Sequence, residues 1–316
     1  MPTQMTIPTI DLSPFFIPGD ESGQKKAKES IAEACAQYGF FQIVNHGIPL
    51  DLMKQAIEFS KMYFNYPDEV KQECGSKEGA PLPNGYYKYP EELPDKREFL
   101  LMFPPQSPFN SLPNDPPHYR ETLDEMFKYF VKTGHILEGI INDCLGFPPN
   151  FLKEYNDDRS WDFLMACRYP PASNTENNGI SGHEDGNLFT MVLQEDTGGL
   201  EVLKDGDWIP LIPSEGTLGV NLGDVIQVLS NKKFKSVTHR VVRPKVRSRH
   251  SYVFFYNLQG EKWVEPLPNF TKEIGEKPKY KGFYYKDYQN LRKIEPTTHS
   301  SSAPQESFNI QHFEIC

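Results

Sequence analysis

The chain has 316 residues, 38% of them hydrophobic and 13% aromatic, with a formal charge of -10; it is long and apolar enough for one large domain or two small ones with a real core, and single all-β barrels often reach this size. No run of roughly 18 apolar residues marks a membrane span, and the start Met1-Pro2-Thr3-Gln4-Met5-Thr6 has neither the basic nor the apolar stretch of a signal peptide, so the cytoplasm is the expected compartment. The acidic balance argues against a nucleic-acid binder, which must neutralise phosphates, and no membrane partner is expected.

In chain order, residues 7–12 are a short apolar run closed by Ser13-Pro14, a strand signal. Residues 23–38 place Ala27, Ile31, Ala34 and Cys35 at helical spacing, and Gly39 ends that helix. A buried strand is expected over 40–44, turning at Asn45-His46-Gly47, with further helices over 50–64 and 119–144. Between them, 79–117 is rich in Pro, Asn and Tyr and reads as a long loop with at most short strands. After Phe163 the pattern changes to short runs of β-branched and aromatic residues over 163–168, 188–194, 200–203, 208–212, 217–221, 225–229, 239–242 and 251–257. Turn signals such as Thr197-Gly198-Gly199 and Gly223-Asp224 separate them. Strands at this spacing predict a mainly β fold with flanking helices, a double-stranded β-helix or cupin-like jelly roll. One helix is expected over 284–291. The divisions are a helix-rich region to residue 150 packing on the core, a jelly-roll core over 151–295 and a flexible tail over 296–316, in one structural unit.

Five scattered cysteines, Cys35, Cys74, Cys144, Cys167 and Cys316, contain no C-x-x-C pair and read as reduced thiols. The informative polar residues are His183 and Asp185, followed by His239. On a strand, residues two apart share a face, so the first two are expected on one side of a strand that begins there. A second imidazole returning from a distant strand completes a set of two His and one carboxylate, which leaves half of a metal's coordination sphere open, as non-haem Fe(II) oxygenases require. Structural zinc prefers a closed set with Cys, and neither Cys144 nor Cys167 is spaced to join. Ten residues after His239, Arg249 and Ser251 share a strand face, where a guanidinium fork and a hydroxyl suit the far carboxylate of a dicarboxylate. His46, in its turn, reads as a capping or packing residue.

Several segments occur in one order: Pro8-Thr9-Ile10-Asp11-Leu12, Gly39-Phe40-Phe41-Gln42-Ile43-Val44-Asn45-His46-Gly47, Arg168-Tyr169-Pro170-Pro171, His183/Asp185, His239-Arg240-Val241 and Arg249/Ser251. Together they resemble the plant-type Fe(II)/2-oxoglutarate-dependent dioxygenases, the group of flavonol synthases, anthocyanidin synthase and alkaloid-modifying enzymes. The resemblance runs from about residue 7 to about 290. It implies that His183, Asp185 and His239 hold Fe(II), that Arg249 and Ser251 hold the distal carboxylate of 2-oxoglutarate, and that Tyr169 meets the co-substrate's metal-side end. It also implies O2 as oxidant, ascorbate as accompanying reductant, and release of succinate and CO2. Two departures stand out: Cys167 where the family often has Asn, and Glu184 where it often has Thr.

The expected function is oxidation of a small aromatic or multi-ring secondary metabolite, alkaloid- or phenylpropanoid-like, by hydroxylation, desaturation, ring closure or O-demethylation, in a monomer. Phe255, inward-facing four residues beyond Ser251, matches a stacking aromatic of the flavonoid enzymes. Phe189 and Met191, on the strand after Asp185, and Tyr86 and Lys88, in a lid-like loop, complete the expected substrate set. The alternatives are an oxidase of the isopenicillin N synthase type that does not use 2-oxoglutarate, and a catalytically silent cupin-like binding protein.

Overall fold

The computed structural model describes residues 6–79, 82, 84–173, 176–293 and 309–315. The chain opens with β1 (Thr9–Asp11), α1 (Glu21–Gln37), β2 (Phe40–Val44), α2 (Leu50–Phe64) and α3 (Asp68–Gln72). Asp20 caps the start of α1 by accepting from the Gly23 amide at 2.9 Å. At its end, Gly39 takes φ +61° and lies so close to the Lys235 carbonyl that a Cβ would sit 2.3 Å from the oxygen; only glycine fits this turn into β2. Next come β3 (Gly85–Lys88), β4 (Glu98–Met102), the long helix α4 (Tyr119–Cys144) and the single turn α5 (Phe151–Tyr155). The rest is mostly strand: β5 (Phe163–Tyr169), β6 (Asn178–His183), β7 (Phe189–Gln194), β8 (Leu200–Lys204), β9 (Asp207–Pro210) and β10 (Leu218–Leu222). After the short helix α6 (Asp224–Leu229) come β11 (His239–Val242), β12 (Arg249–Tyr256), β13 (Trp263–Val264), β14 (Phe283–Tyr284) and α7 (Tyr285–Lys293).

Two sheets make the jelly roll. The larger runs β1-β2-β10-β7-β12-β5-β4-β3 and the smaller β6-β11-β8-β9. Between them lies one apolar cluster, with Phe99, Met165, Cys167, Tyr169 and Val192 from the large sheet facing Leu200, Val202, Ile209 and Val241 from the small one. The opposite face of the large sheet carries Met191, Phe189, Phe254 and Tyr256, buried under α1, α2 and α4. Covered on both faces, its central strands are buried end to end, whereas β8 and β11 alternate buried with partly exposed residues. Among the described residues no helix is long and apolar enough to cross a membrane.

Two of the expected segments take another form. Residues 225–229, expected as a strand, are most of α6, buried on every side. A short apolar run without alternation is compatible with either structure, and the tertiary setting decides. Within the long loop the strands are short, as expected, but β4 is buried throughout and pairs in register with β5, Glu98 opposite Arg168 and Phe99 opposite Cys167. Glu98 is tolerated there because Lys71 (2.8 Å), Arg168 (2.5 Å) and the Tyr86 hydroxyl (2.5 Å) surround its carboxylate. Most of the expected flexible tail lies outside the described residues. Its end does not behave as one: Ile310 is buried, Phe313 packs on Phe283, and Glu314 bridges to Tyr280.

Candidate metal centre and co-substrate chamber

His183 is the last residue of β6 and His239 the first of β11, and the antiparallel register sets them directly opposite one another. Their rings are 4.3 Å apart between centroids. Asp185 lies two residues past the end of β6, so the expected shared strand face is corrected: the loop, not the pleat, turns its carboxylate toward the imidazoles. His183 Nε2 is 3.7 Å from Asp185 Oδ1, and His239 Nε2 is 3.8 Å from Oδ2. One donor atom from each of the three lies within 4.8 Å of the others.

The surroundings prepare these groups to bind a cation. The Nδ1 atoms of His183 and His239 face the carbonyls of Ser181 (2.9 Å) and Val237 (3.1 Å), so each ring donates there and keeps the Nε2 lone pair toward the cluster. Asp185 Oδ2 accepts from Thr190 Oγ1 (2.6 Å) and Asn221 Nδ2 (2.8 Å), residues opposite each other on β7 and β10. Burial would raise the Asp185 carboxyl, but the two imidazoles and these hydrogen bonds hold it below its ordinary value, as an anion. Burial, helped by neighbouring His239, lowers His183 to about 4, which leaves it neutral and able to ligate at pH 7. Two imidazoles and one carboxylate, buried or half-buried and oriented from behind, fit a divalent transition metal with open positions, and no Cys joins them among the described residues.

From this cluster a chamber extends between the sheets to Arg249 and Ser251 on β12. Arg249 is buried, as is Ser251. Its Nε donates to Gly198 O (2.6 Å), Nη1 to Ser251 Oγ (2.9 Å) and Nη2 to Gln194 Oε1 (3.1 Å). These occupy three of the five N–H donors of a guanidinium. The Tyr169 ring lies 5.0 Å from the guanidinium, across the β5–β12 register. Tyr169 thus groups with Arg249 rather than, as expected, with the metal-side end. Cys167, where Asn was expected from the resemblance, forms buried chamber wall opposite Ser251.

The expected substrate set divides. Phe255 lines the chamber and stacks on Phe163 at 4.4 Å between centroids. Phe189 and Met191 do not: they point to the helical face, Phe189 stacked on Tyr256 at 4.5 Å and Met191 beneath α4. Alternation on β7 instead sends Thr190 and Val192 inward, one register step from the expected residues. Tyr86 is buried in the helical core with its hydroxyl on Glu98, and Lys88 is exposed and paired with Asp68 at 2.8 Å. Neither lines the chamber. Unforeseen were Asn221 and Thr190, and Arg97, which enters the chamber from the segment before β4. Asn221 had a visible signal, an amide in the centre of the apolar run Leu218-Gly219-Val220-Asn221-Leu222.

Residues 160–258 match the 2OG-Fe(II) oxygenase superfamily, and residues 7–124 match the family described as non-haem dioxygenase in morphine synthesis N-terminal. The chain is 31% identical over 297 residues to a flavonol synthase/flavanone 3-hydroxylase of Arabidopsis thaliana, covering 91% of this chain and 86% of that one. It is 35% identical over 280 residues to jasmonate-induced oxygenase 1 of the same plant, covering 83% and 66%. The crystal structure of JOX2 in complex with 2OG, Fe and JA superposes with a TM-score of 0.80 at 29% identity, covering 91% of this chain and 85% of that chain. With the His-Asp-His cluster and the chamber behind it, these matches make the chain a member of the 2OG-Fe(II) oxygenase superfamily, an Fe(II)- and 2-oxoglutarate-dependent dioxygenase.

Proposed function

We propose that the protein oxidises a small ring-bearing metabolite, with His183, Asp185 and His239 holding Fe(II), Arg249 and Ser251 holding the distal carboxylate of 2-oxoglutarate, and Phe255 facing the substrate. The observation that carries this reading is the opening of one chamber onto both the three ligands and the Arg249–Ser251 pair. When bound, Fe(II) with 2-oxoglutarate and O2 supplies the oxidising equivalent, and succinate and CO2 leave as the co-products.

The chain's own residues bind, orient and exclude water. Arg249 and Tyr169 set the far end of the co-substrate, and Cys167 contributes a small neutral wall beside it in place of an amide. Met165, Val192, Val253 and Phe255 line the chamber with apolar surface, which keeps water from a reactive centre and favours a flat, largely apolar guest. The stacked Phe163–Phe255 pair presents a rigid aromatic wall for ring stacking, which supports an aromatic or multi-ring substrate. Hydroxylation, desaturation, ring closure and O-demethylation share these requirements and differ in where the substrate's C–H bond is held.

A second reading is favoured by 31% identity to a 1-aminocyclopropane-1-carboxylate oxidase homolog of Solanum lycopersicum over 296 residues: an oxidase that does not consume 2-oxoglutarate. One experiment separates the two. Purified protein supplied with Fe(II), ascorbate, 2-oxoglutarate and a panel of phenolics, alkaloids and aromatic acids is assayed by mass spectrometry for product and succinate together. Succinate formed in step with oxidised product supports the proposal. Product without succinate sinks it in favour of the oxidase, and no product with any substrate sinks both.

A further inference from the structure

The chamber holds a second guanidinium that neither the metal nor the co-substrate accounts for. Arg97 precedes β4, whose register places it level with Tyr169, and it lines the same chamber as His183, Asp185 and Phe255. Its neighbour Glu98 points the other way, into the Lys71–Arg168 cluster, as strand alternation requires. The nearby Asp95 is already engaged by Ser181 (2.9 Å to its amide) and by Asn178 (2.7 Å). Arg97 therefore has no carboxylate partner among the described residues. It donates from Nη2 to Tyr89 Oη at 2.6 Å, its guanidinium lies 4.6 Å from the centroid of that ring, and its Nε is sealed from solvent without an acceptor.

An arginine stays charged at any working pH, and a charge in a low-dielectric chamber is unfavourable without a counter-ion. Within the assignment above, Arg249 is matched by the distal carboxylate of 2-oxoglutarate. Fe(II) and both guanidinium groups then outweigh Asp185 and the co-substrate dianion by a single positive charge. Arg97 is the group left over. We infer that Arg97 is a specificity-determining residue that receives the carboxylate of the primary substrate, which makes that substrate an aromatic or other ring-bearing monocarboxylic acid. The guest's ring lies along Phe255, its acid group meets the Nε and Nη edge of Arg97, and the C–H bond between them faces the metal ligands.

This inference rests on the function proposed above, and the test keeps the two apart. Wild-type protein loaded with Mn(II), which does not turn over, and 2-oxoglutarate is titrated with 3-phenylpropionate, indole-3-acetate and other aromatic monocarboxylates, each beside its primary amide. The acids are expected to bind at least about 10-fold more tightly than the amides, since a buried charge pair far outweighs a neutral contact. Arg97→Leu should abolish that preference and Arg97→Lys retain part of it, with 2-oxoglutarate affinity unchanged in both. No acid binding, or acids and amides binding alike to the wild type, overturns the inference without recourse to any variant. So does an Arg97→Leu protein that loses 2-oxoglutarate affinity instead, because Arg97 would then serve the co-substrate. Failure of 2-oxoglutarate itself to bind the Mn(II)-loaded wild type, read in a separate titration, overturns the parent reading and this one with it.

Discussion

His239 touches three parts of the molecule at once: it pairs with His183 across the β6–β11 register, its Nδ1 faces the Val237 carbonyl, and its ring meets Phe40 edge-on at 5.9 Å. Replacing it by alanine removes a ligand atom while leaving a strand end that backbone hydrogen bonds still hold. His239→Ala is therefore expected to abolish turnover and sharply weaken Mn(II) binding with near-UV circular dichroism unchanged; retained turnover would remove His239 from the ligand set. Arg249→Ala acts differently. It empties the far end of the chamber, so the KM for 2-oxoglutarate should rise roughly 30-fold or more, the scale of a lost buried charge pair, with a smaller change in kcat at saturation. An unchanged KM would contradict the assignment. His46, by contrast, is the packing residue its turn suggested, with Nε2 3.1 Å from the Gly216 carbonyl oxygen and Nδ1 accepting from Ile48.

At the scale of elements, the loop between β6 and β7 carries Asp185 and is held from outside by α7. Arg292 donates to Glu184 O at 2.6 Å and to buried Asp224 at 3.1 Å, while Gln289 donates to Gly186 O at 2.9 Å. From the chamber side the same loop is fixed by Thr190 and Asn221 on Asp185. Glu184, where the resemblance leads one to expect Thr, accepts from Thr238, tying the loop to the residue before His239. A helix outside the jelly roll thus positions a candidate metal ligand it never touches. Gln289→Ala, which removes one of these ties without stranding a charge, is expected to weaken Mn(II) affinity about 10-fold, the usual order for a supporting contact. Affinity equal to wild type in a Mn(II) titration would show that the barrel alone holds the loop.

For the whole molecule, the site lies between two sheets that are otherwise joined by apolar packing, so a metal and a dicarboxylate bound there should stabilise the native state against unfolding. Saturating Mn(II) with 2-oxoglutarate is expected to raise the melting temperature by roughly 3–8 °C, and a chelator to reverse it; no shift would mean that the chamber does not take this pair. Much of this arrangement is carried by the order of amino acids alone. Helical spacing locates α2 and α4, and short apolar, β-branched and aromatic runs between turn signals locate β2, β5 and β12, because burial against a core selects such residues in local sequence. The three candidate ligands and Arg249 with Ser251 are legible too, since their residue types and order are themselves the chemistry. Facing and register are different in kind. Whether β7 turns Phe189 or Thr190 toward the chamber depends on a single register step, and both faces of that strand are buried, so no polar alternation marks which is which. Whether 225–229 becomes helix or strand, how a loop rather than a strand face aims Asp185, and that Arg97 reaches the chamber from a proline-rich segment are likewise set by contacts between residues far apart in the chain. Such contacts exist only once the two sheets have closed on each other, because local propensity carries no record of what lies across the core.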